Sequence, residues 1–126
     1  GVVTGRLAPA FMSKFGTWFL RRPEGQVEMF DVLTGQIERM ADNYDEFMKE
    51  VNNQSWQEVY LCSDLVYELH QVTKIPGTAQ CYALAPHPAL GGPNPMLGDR
   101  VAVENVMVMD IIVWQSICAQ SLRLGQ

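Results

Sequence analysis

The chain has 126 residues, 48% of them apolar, and a formal net charge of −5 at pH 7. This length and composition indicate one globular domain, residues 1–126, and exclude a disordered chain. The acidic balance argues against a nucleic-acid backbone as partner. Since no run of about 18 apolar residues occurs, no membrane span is predicted either.

The N-terminal part of the chain predicts a three-stranded antiparallel meander. Residues 1–10 show little pattern and are expected to form a loose lead-in, followed by an ambiguous segment at 11–14. Aromatic residues are concentrated at 15–22, which is typical of a strand. Turns are expected at 23–25 and around Gly35, since glycine tolerates the positive φ of a tight hairpin. The meander is predicted to continue across both turns as far as Met40.

The hydrophobic period changes after Ala41 from that of a strand to that of a helix. A helix is predicted over Asp42 to Val51, with Asp42 as its N-cap. Four apolar side chains share one face of this helix: Tyr44, Phe47, Met48 and Val51.

A second helix is predicted over Trp56 to Val72 because Ser55 and Glu58 have the spacing of a capping box. Ile75–Gly77 is expected to end this helix. The residues expected on its buried face are Val59, Cys62, Val66 and Leu69. A strand at Thr78–Leu84 follows, and residues 85–100, with four prolines and three glycines, are predicted to form a long loop.

The last elements are a strand and a helix. Val101–Met109 is a mostly apolar run that is expected at the centre of the sheet. Asp110 is expected to cap a helix over Ile111–Leu122, although the β-branched residues at its start also fit a continued strand. The prediction is therefore an α+β domain in which about three helices pack on a single, mostly antiparallel sheet.

The residues alone show no catalytic constellation. The three cysteines (Cys62, Cys81 and Cys118) lack metal or redox spacing, which favours buried, reduced thiols in a cytoplasmic protein. His70 and His87 have no spacing that suggests a metal site. We therefore expect no cofactor, no metal and no enzymatic activity.

One face of the first predicted helix is acidic and leaves two interpretations open. It is formed by Asp42, Asp45, Glu46 and Glu50, named here the acidic stripe. Such a stripe is typical of the solvated side of a surface helix. It also fits a docking surface for a basic protein, because charge of this kind steers association.

Two alternatives place function elsewhere. A small ligand, or the substrate of a minor enzyme, could bind in a pocket beneath residues 86–99, where Tyr82, His87 and Trp114 are the candidate residues. An exposed sheet edge would instead support a homo-oligomer.

Two stretches resemble known families. MFDVLTGQIERMADNYDEFMKEV is similar to the strand, TG turn, strand and helix of the SUKH group of bacterial immunity proteins. The matching positions are Asp31, Thr34, Gly35, Ala41, Tyr44 and Phe47. The C-terminal part resembles the C-terminal domain of type VI secretion DNase-immunity proteins. That likeness is carried by Cys81–Tyr82, Leu90–Gly92, Glu104–Asn105, Asp110, Ser116 and Gln120.

The resemblance covers residues 15–120 and implies a binding function. Proteins of this kind act inside the cell by occluding a toxin domain and perform no chemistry of their own. The acidic balance agrees with a nuclease as the toxin. The likeness does not extend to the GAD-like N-terminal half of longer relatives, and residues 93–99 lengthen the loop after Gly92. Because immunity surfaces diverge with their toxins, the resemblance assigns no partner-binding residue.

Overall fold

A computed structural model describes residues 8–125, which form an α+β domain of six strands and four α-helices. The strands are β1 (Ala8–Met12), β2 (Trp18–Arg21), β3 (Val27–Asp31), β4 (Gln36–Ala41), β5 (Gln80–Leu84) and β6 (Val106–Asp110). The helices are α1 (Tyr44–Val51), α2 (Gln54–Tyr60), α3 (Ser63–Gln71) and α4 (Ile111–Leu124). None of these helices is long and apolar enough to cross a membrane.

The first four strands form an antiparallel meander in chain order. Gly25 and Gly35 turn its second and third hairpins with φ of 105° and 74°, as the sequence predicts. β1 is an additional strand that pairs with β2 from Ala8 opposite Arg21 to Met12 opposite Trp18. The predicted lead-in is therefore wrong for residues 8–10, and its residues 1–7 lie outside the described part of the chain.

The remaining strands form a sheet of their own. β5 and β6 pair antiparallel, with Gln80 opposite Asp110 and Leu84 opposite Val106. This corrects the predicted single sheet to two sheets. It also corrects the central position predicted for Val101–Met109, since β6 has β5 as its one strand neighbour among the described residues. Val101 and Val106 of this run are buried, whereas Met107 is exposed, and α4 contacts both strands of the sheet.

The N-cap of α1 lies one residue later than predicted. Asn43 has extended backbone angles, and its side-chain Oδ1 accepts a hydrogen bond from the Glu46 amide at 2.9 Å. Asn43 is therefore the N-cap, and Asp42 precedes it. The predicted apolar face is only partly covered: Phe47 is buried and Met48 is exposed.

The single helix predicted over Trp56–Val72 is two helices. Cys62 adopts the left-handed conformation (φ 53°, ψ 47°), which interrupts the helical hydrogen bonds between α2 and α3. The capping box at Ser55 does not form either, because the Asn53 Oδ1 accepts from the Ser55 and Trp56 amides at 2.8 and 3.3 Å. The change of direction leaves Val59 exposed, although the sequence places it on the buried face.

The last helix is confirmed. The Asp110 Oδ1 accepts hydrogen bonds from the Ile112 and Val113 amides at 2.9 and 3.1 Å, which is the geometry of an N-cap. Trp114 and Cys118 are buried on one face, as their spacing predicts. The helix continues to Leu124, two residues beyond the predicted end.

Two clusters of buried side chains hold the domain together. The first, named here the aromatic core, comprises Phe19, Val27, Met29, Ala41, Phe47 and Trp56. The second, named here the C-terminal core, comprises Phe15, Val32, Leu33, Cys62, Leu69, Cys81, Tyr82, Ala83, Leu84, Val101, Val106, Trp114 and Cys118. The first belongs to the four-stranded sheet with α1 and α2, and the second joins that sheet to α3, α4 and the two-stranded sheet.

Candidate protein-binding surface

The four residues of the acidic stripe are all exposed. Asp45 and Glu46 lie in the first turn of α1, where the positive end of the helix dipole favours carboxylates. Asp42 lies outside the helix, and its Oδ1 is 3.4 Å from the Nε of Arg39. Part of the stripe thus stabilises α1 itself, and the rest of its charge faces solvent.

A groove lies beside the stripe, bounded by β4, α1 and α2. It encloses about 560 Å³ and is lined by side chains that include Glu38, Met40, Glu50, Trp56, Val59 and Tyr60. The aromatic core extends to its floor, since the Trp56 and Tyr60 ring centroids are 5.0 Å apart. Trp56 in turn contacts Phe47 at 5.7 Å between centroids. The groove therefore combines an aromatic floor with a charged rim.

The charged side chains at the groove affect the pKa of Tyr60. Partial burial raises the pKa of its hydroxyl, and the Glu38 and Glu50 carboxylates raise it further. One carboxylate of β4 and one of α1 therefore contribute to the same pKa shift. Between Gln36 and Val51, five carboxylates and two basic side chains give a net charge of −3, and residues 52–72 carry a further −3.

The sequence prediction includes Glu50 but not Glu38 or Tyr60. These two residues are 22 positions apart, on different elements, and no periodicity within one element connects them. One signal was present: Glu38 and Arg39 put adjacent charges in a predicted strand, which is typical of a sheet edge. In the structure β4 is an edge strand, and the side chains of residues 36–39 are exposed.

The three residues proposed for a pocket beneath the loop at 86–99 are all buried. The rings of His87 and Trp114 pack with centroids 5.6 Å apart. The Trp114 indole donates to the Phe15 carbonyl at 2.8 Å, and the Tyr82 hydroxyl donates to the Lys74 carbonyl at 2.6 Å. Tyr82 and Trp114 thus belong to the C-terminal core, and His87 packs against it through Trp114.

His87 performs a structural task at the start of the loop. Its Nδ1 accepts a hydrogen bond from the Ala89 amide at 2.9 Å, which caps a short 3₁₀ turn at Pro88–Leu90. Its buried Nε2 has no hydrogen-bond partner among the described residues. Burial lowers the pKa of His87, and the Asp31 carboxylate opposes that shift. The ring is thus held neutral inside the fold.

The loop does border a cleft, at a different place. About 360 Å³ lies between α2, α3 and residues 95–101, with the carboxylates of Glu58, Asp64, Glu68 and Asp99 along its walls. Tyr82, His87 and Trp114 do not line it.

The cysteines are buried free thiols, as predicted. Burial raises the pKa of Cys62 and Cys118 to about 12 and that of Cys81 to about 11. Since the thiolate is the reactive form, these side chains are poor nucleophiles near neutral pH.

A comparison with protein-family models finds no match for this chain, and a search of curated proteins finds no significant match.

Proposed function

We propose that this domain is a non-enzymatic protein-binding module that acts in the cytoplasm as an immunity protein. It binds a toxic enzyme with a basic surface, such as a nuclease, and occludes it. The observation that carries the proposal is the exposed acidic stripe along α1, which lies beside the groove bounded by β4, α1 and α2. The resemblance to the SUKH group and to type VI DNase-immunity proteins agrees with this function.

The chemistry of the interior supports binding over catalysis. The thiols are buried with raised pKa values, and the imidazole of His87 is occupied by capping a turn. The carboxylates of the acidic stripe, by contrast, are exposed and are available to a partner. Charges of this kind accelerate the encounter with an oppositely charged protein and contribute less to the affinity of the final complex.

The first experiment is a pull-down from native host lysate with the tagged protein, analysed by mass spectrometry. We expect one stoichiometric partner that carries a toxin or nuclease domain. Co-expression of this domain should then restore growth to cells that produce the partner. A partner that is captured but remains fully toxic in the co-expressing cells would contradict the immunity function.

A charge-reversal variant then tests the surface. The double change Asp45→Lys and Glu46→Lys should slow association with the captured partner, and the effect should shrink at high salt, where exposed charges are screened. A matched control, Glu24→Lys and Glu104→Lys, makes the same change in charge at exposed positions outside α1. Circular dichroism verifies that α1 tolerates the reversal. Equal association rates for both variants would remove α1 from the interface.

A second candidate function is supported by the cleft beside the loop at 86–99. Its volume of about 360 Å³ is sufficient for a small ligand. Its four carboxylates favour a cationic one. A thermal-shift screen with small cations and amines tests this function, and a ligand-induced rise in Tm that is lost in Glu68→Gln would support it.

A further inference from the structure

We propose that the groove between β4, α1 and α2 receives a lysine or arginine side chain of the protein partner. The cation lies between the Glu38 and Glu50 carboxylates, and the aliphatic stem lies on the Tyr60 and Trp56 rings. This inference rests on the proposed function and deepens it by naming the partner chemistry that the surface recognises.

The two carboxylates come from separate elements, β4 and α1, which both border the groove. Glu38 is exposed on the edge strand β4, and Glu50 is exposed near the end of α1. Both line the groove, and both act electrostatically on the Tyr60 hydroxyl. Two carboxylates in one groove provide acceptors for several N–H donors of an ammonium or guanidinium group.

The floor of the groove suits the rest of such a side chain. Tyr60 is half-buried, so part of its ring remains accessible, and the Trp56 ring packs against it with centroids 5.0 Å apart. Lysine and arginine cover apolar surface with their methylene stems while the charged end stays polar, and a cation is also attracted to an aromatic face. The domain makes this contact within itself on another ring, because the Arg21 guanidinium lies 4.1 Å from the centroid of Tyr44.

Two basic side chains also line the groove, and they restrict where the incoming cation is placed. Arg39 is directed toward Asp42, whose carboxylate offsets its charge. Lys49 precedes Glu50 in α1, so the two side chains diverge by about 100° around the helix axis. Replacing Lys49 by Gln removes a competing cation and should strengthen the binding of a basic segment about threefold.

The occupant is a partner and not a second copy of this chain, on the basis of charge. A chain with a formal net charge of −5 repels its own copies, and residues 36–51, which include β4 and α1 at the groove, carry a net charge of −3. The same charge attracts a basic segment of another protein. Self-association through the groove is therefore an outcome that the test below can detect.

The test uses a defined probe, a short peptide of alternating arginine and serine, titrated into the isotope-labelled protein and followed by NMR. We expect shift changes centred on Trp56 and Tyr60. The double variant Glu38→Gln, Glu50→Gln should bind about tenfold more weakly, since two exposed ion pairs are lost. Tyr60→Leu should bind about threefold more weakly through loss of the aromatic face. The control Glu24→Gln, Glu104→Gln removes the same charge elsewhere and should bind like the wild type.

Three results would overturn the inference. The first is that the peptide does not bind the wild-type protein, or that it binds without NMR shift changes at Trp56 and Tyr60. The second is equal weakening in both double variants, which would indicate diffuse charge attraction. The third is shifts at Tyr60 that depend on protein concentration without peptide, which would assign the groove to a second copy.

The lysate experiment separates this inference from the proposed function. The groove variant Glu38→Gln, Glu50→Gln could capture the toxin as well as the wild type does. That result would contradict a role of the groove in binding and leave the immunity function intact. If no toxin is captured but the peptide binds as expected, the immunity function fails and the groove remains a site for basic segments.

Discussion

The two cores of this domain are built in different ways. The aromatic core is formed by rings that contact one another, such as Phe19 with Phe47 and with Trp56 at centroid distances of 5.7 and 5.5 Å. The C-terminal core includes polar connections between distant parts of the chain. Trp114 is bonded to the Phe15 carbonyl across 99 positions, and Lys74 donates to the carbonyls of Val103 and Val106, at 2.8 Å in each case.

The difference indicates a division of tasks. Ring packing has weak directional requirements, so the aromatic core can support the groove on its outer side without depending on any one hydrogen bond. The C-terminal core depends in addition on long-range hydrogen bonds, and the loss of one leaves a buried polar group unpaired at a cost of about 1–3 kcal/mol. Substitutions should therefore separate the two cores by their sensitivity to polar changes.

The largest effect is expected at Trp114, which is almost fully buried. Trp114→Ala should lower the free energy of unfolding by about 3–5 kcal/mol, since it leaves a cavity. It also leaves the Phe15 carbonyl without its donor. Phe47→Ala creates a comparable cavity in the aromatic core but breaks no hydrogen bond of the side chain, so it should cost about 1 kcal/mol less. Urea unfolding followed by circular dichroism measures both. A larger loss for Phe47→Ala would contradict the distinction between the cores.

The next largest effect is expected at Lys74, which follows α3 and donates to backbone carbonyls at and before the start of β6. Lys74→Met preserves the stem but removes both hydrogen bonds from Nζ, and we expect a loss of about 2 kcal/mol in unfolding free energy. The control is Lys49→Met, where an exposed lysine on the groove rim should change stability by less than about 0.5 kcal/mol. Equal stabilities of the two variants would show that the bonds of Lys74 contribute little.

The same contrast explains how much of the fold the sequence predicts. Patterns within one element predict that element well, as with the hairpin at Gly35 and the cap at Asp110. Pairing between distant segments has no such signal, which is why two sheets replace the predicted one. The break at Cys62 is also not predicted, because nothing in the sequence distinguishes this left-handed cysteine from an apolar residue within a helix.

The candidate site follows the same rule. The acidic stripe belongs to one helix with its N-terminal flank, and the exposure of all four residues agrees with the helical period. The groove needs Glu38 from β4 and Tyr60 from α2, which only the tertiary fold brings together. Tyr82, His87 and Trp114 are all buried, but their burial depends on packing that no local pattern specifies.

Acidification should weaken the C-terminal core specifically. Burial lowers the pKa of His87 below its ordinary value of 6.5, so the unfolded chain takes up a proton at this position before the folded protein does. The stability that the neutral ring provides is therefore complete above about pH 6.5 and is lost as the pH falls through the lower pKa of the folded state. Protonation also converts Nδ1 from acceptor to donor, which breaks the cap on the Ala89 amide.

His87→Asn tests this pH dependence. Asparagine retains an acceptor for the Ala89 amide but does not titrate. We expect the urea midpoint of the wild type to decrease between about pH 7 and pH 5 more steeply than that of the variant. Parallel curves would show that His87 does not link protonation to folding.

The smallest effect is expected at a buried polar group of the first sheet. The Thr17 side chain is fully buried, and its Oγ1 has no hydrogen-bond partner among the described residues. Thr17→Val removes this unpaired hydroxyl at nearly constant volume and should raise the free energy of unfolding by about 1 kcal/mol. The matched change Thr34→Val removes a hydroxyl that donates to the Asp31 carboxylate at 3.1 Å, and it should lower stability by about 1 kcal/mol. The same substitution should thus change the free energy of unfolding in opposite directions at two turns of one sheet. The direction depends on whether the hydroxyl that is removed has a hydrogen-bond partner. Destabilisation by both variants would mean that Thr17 is satisfied by solvent.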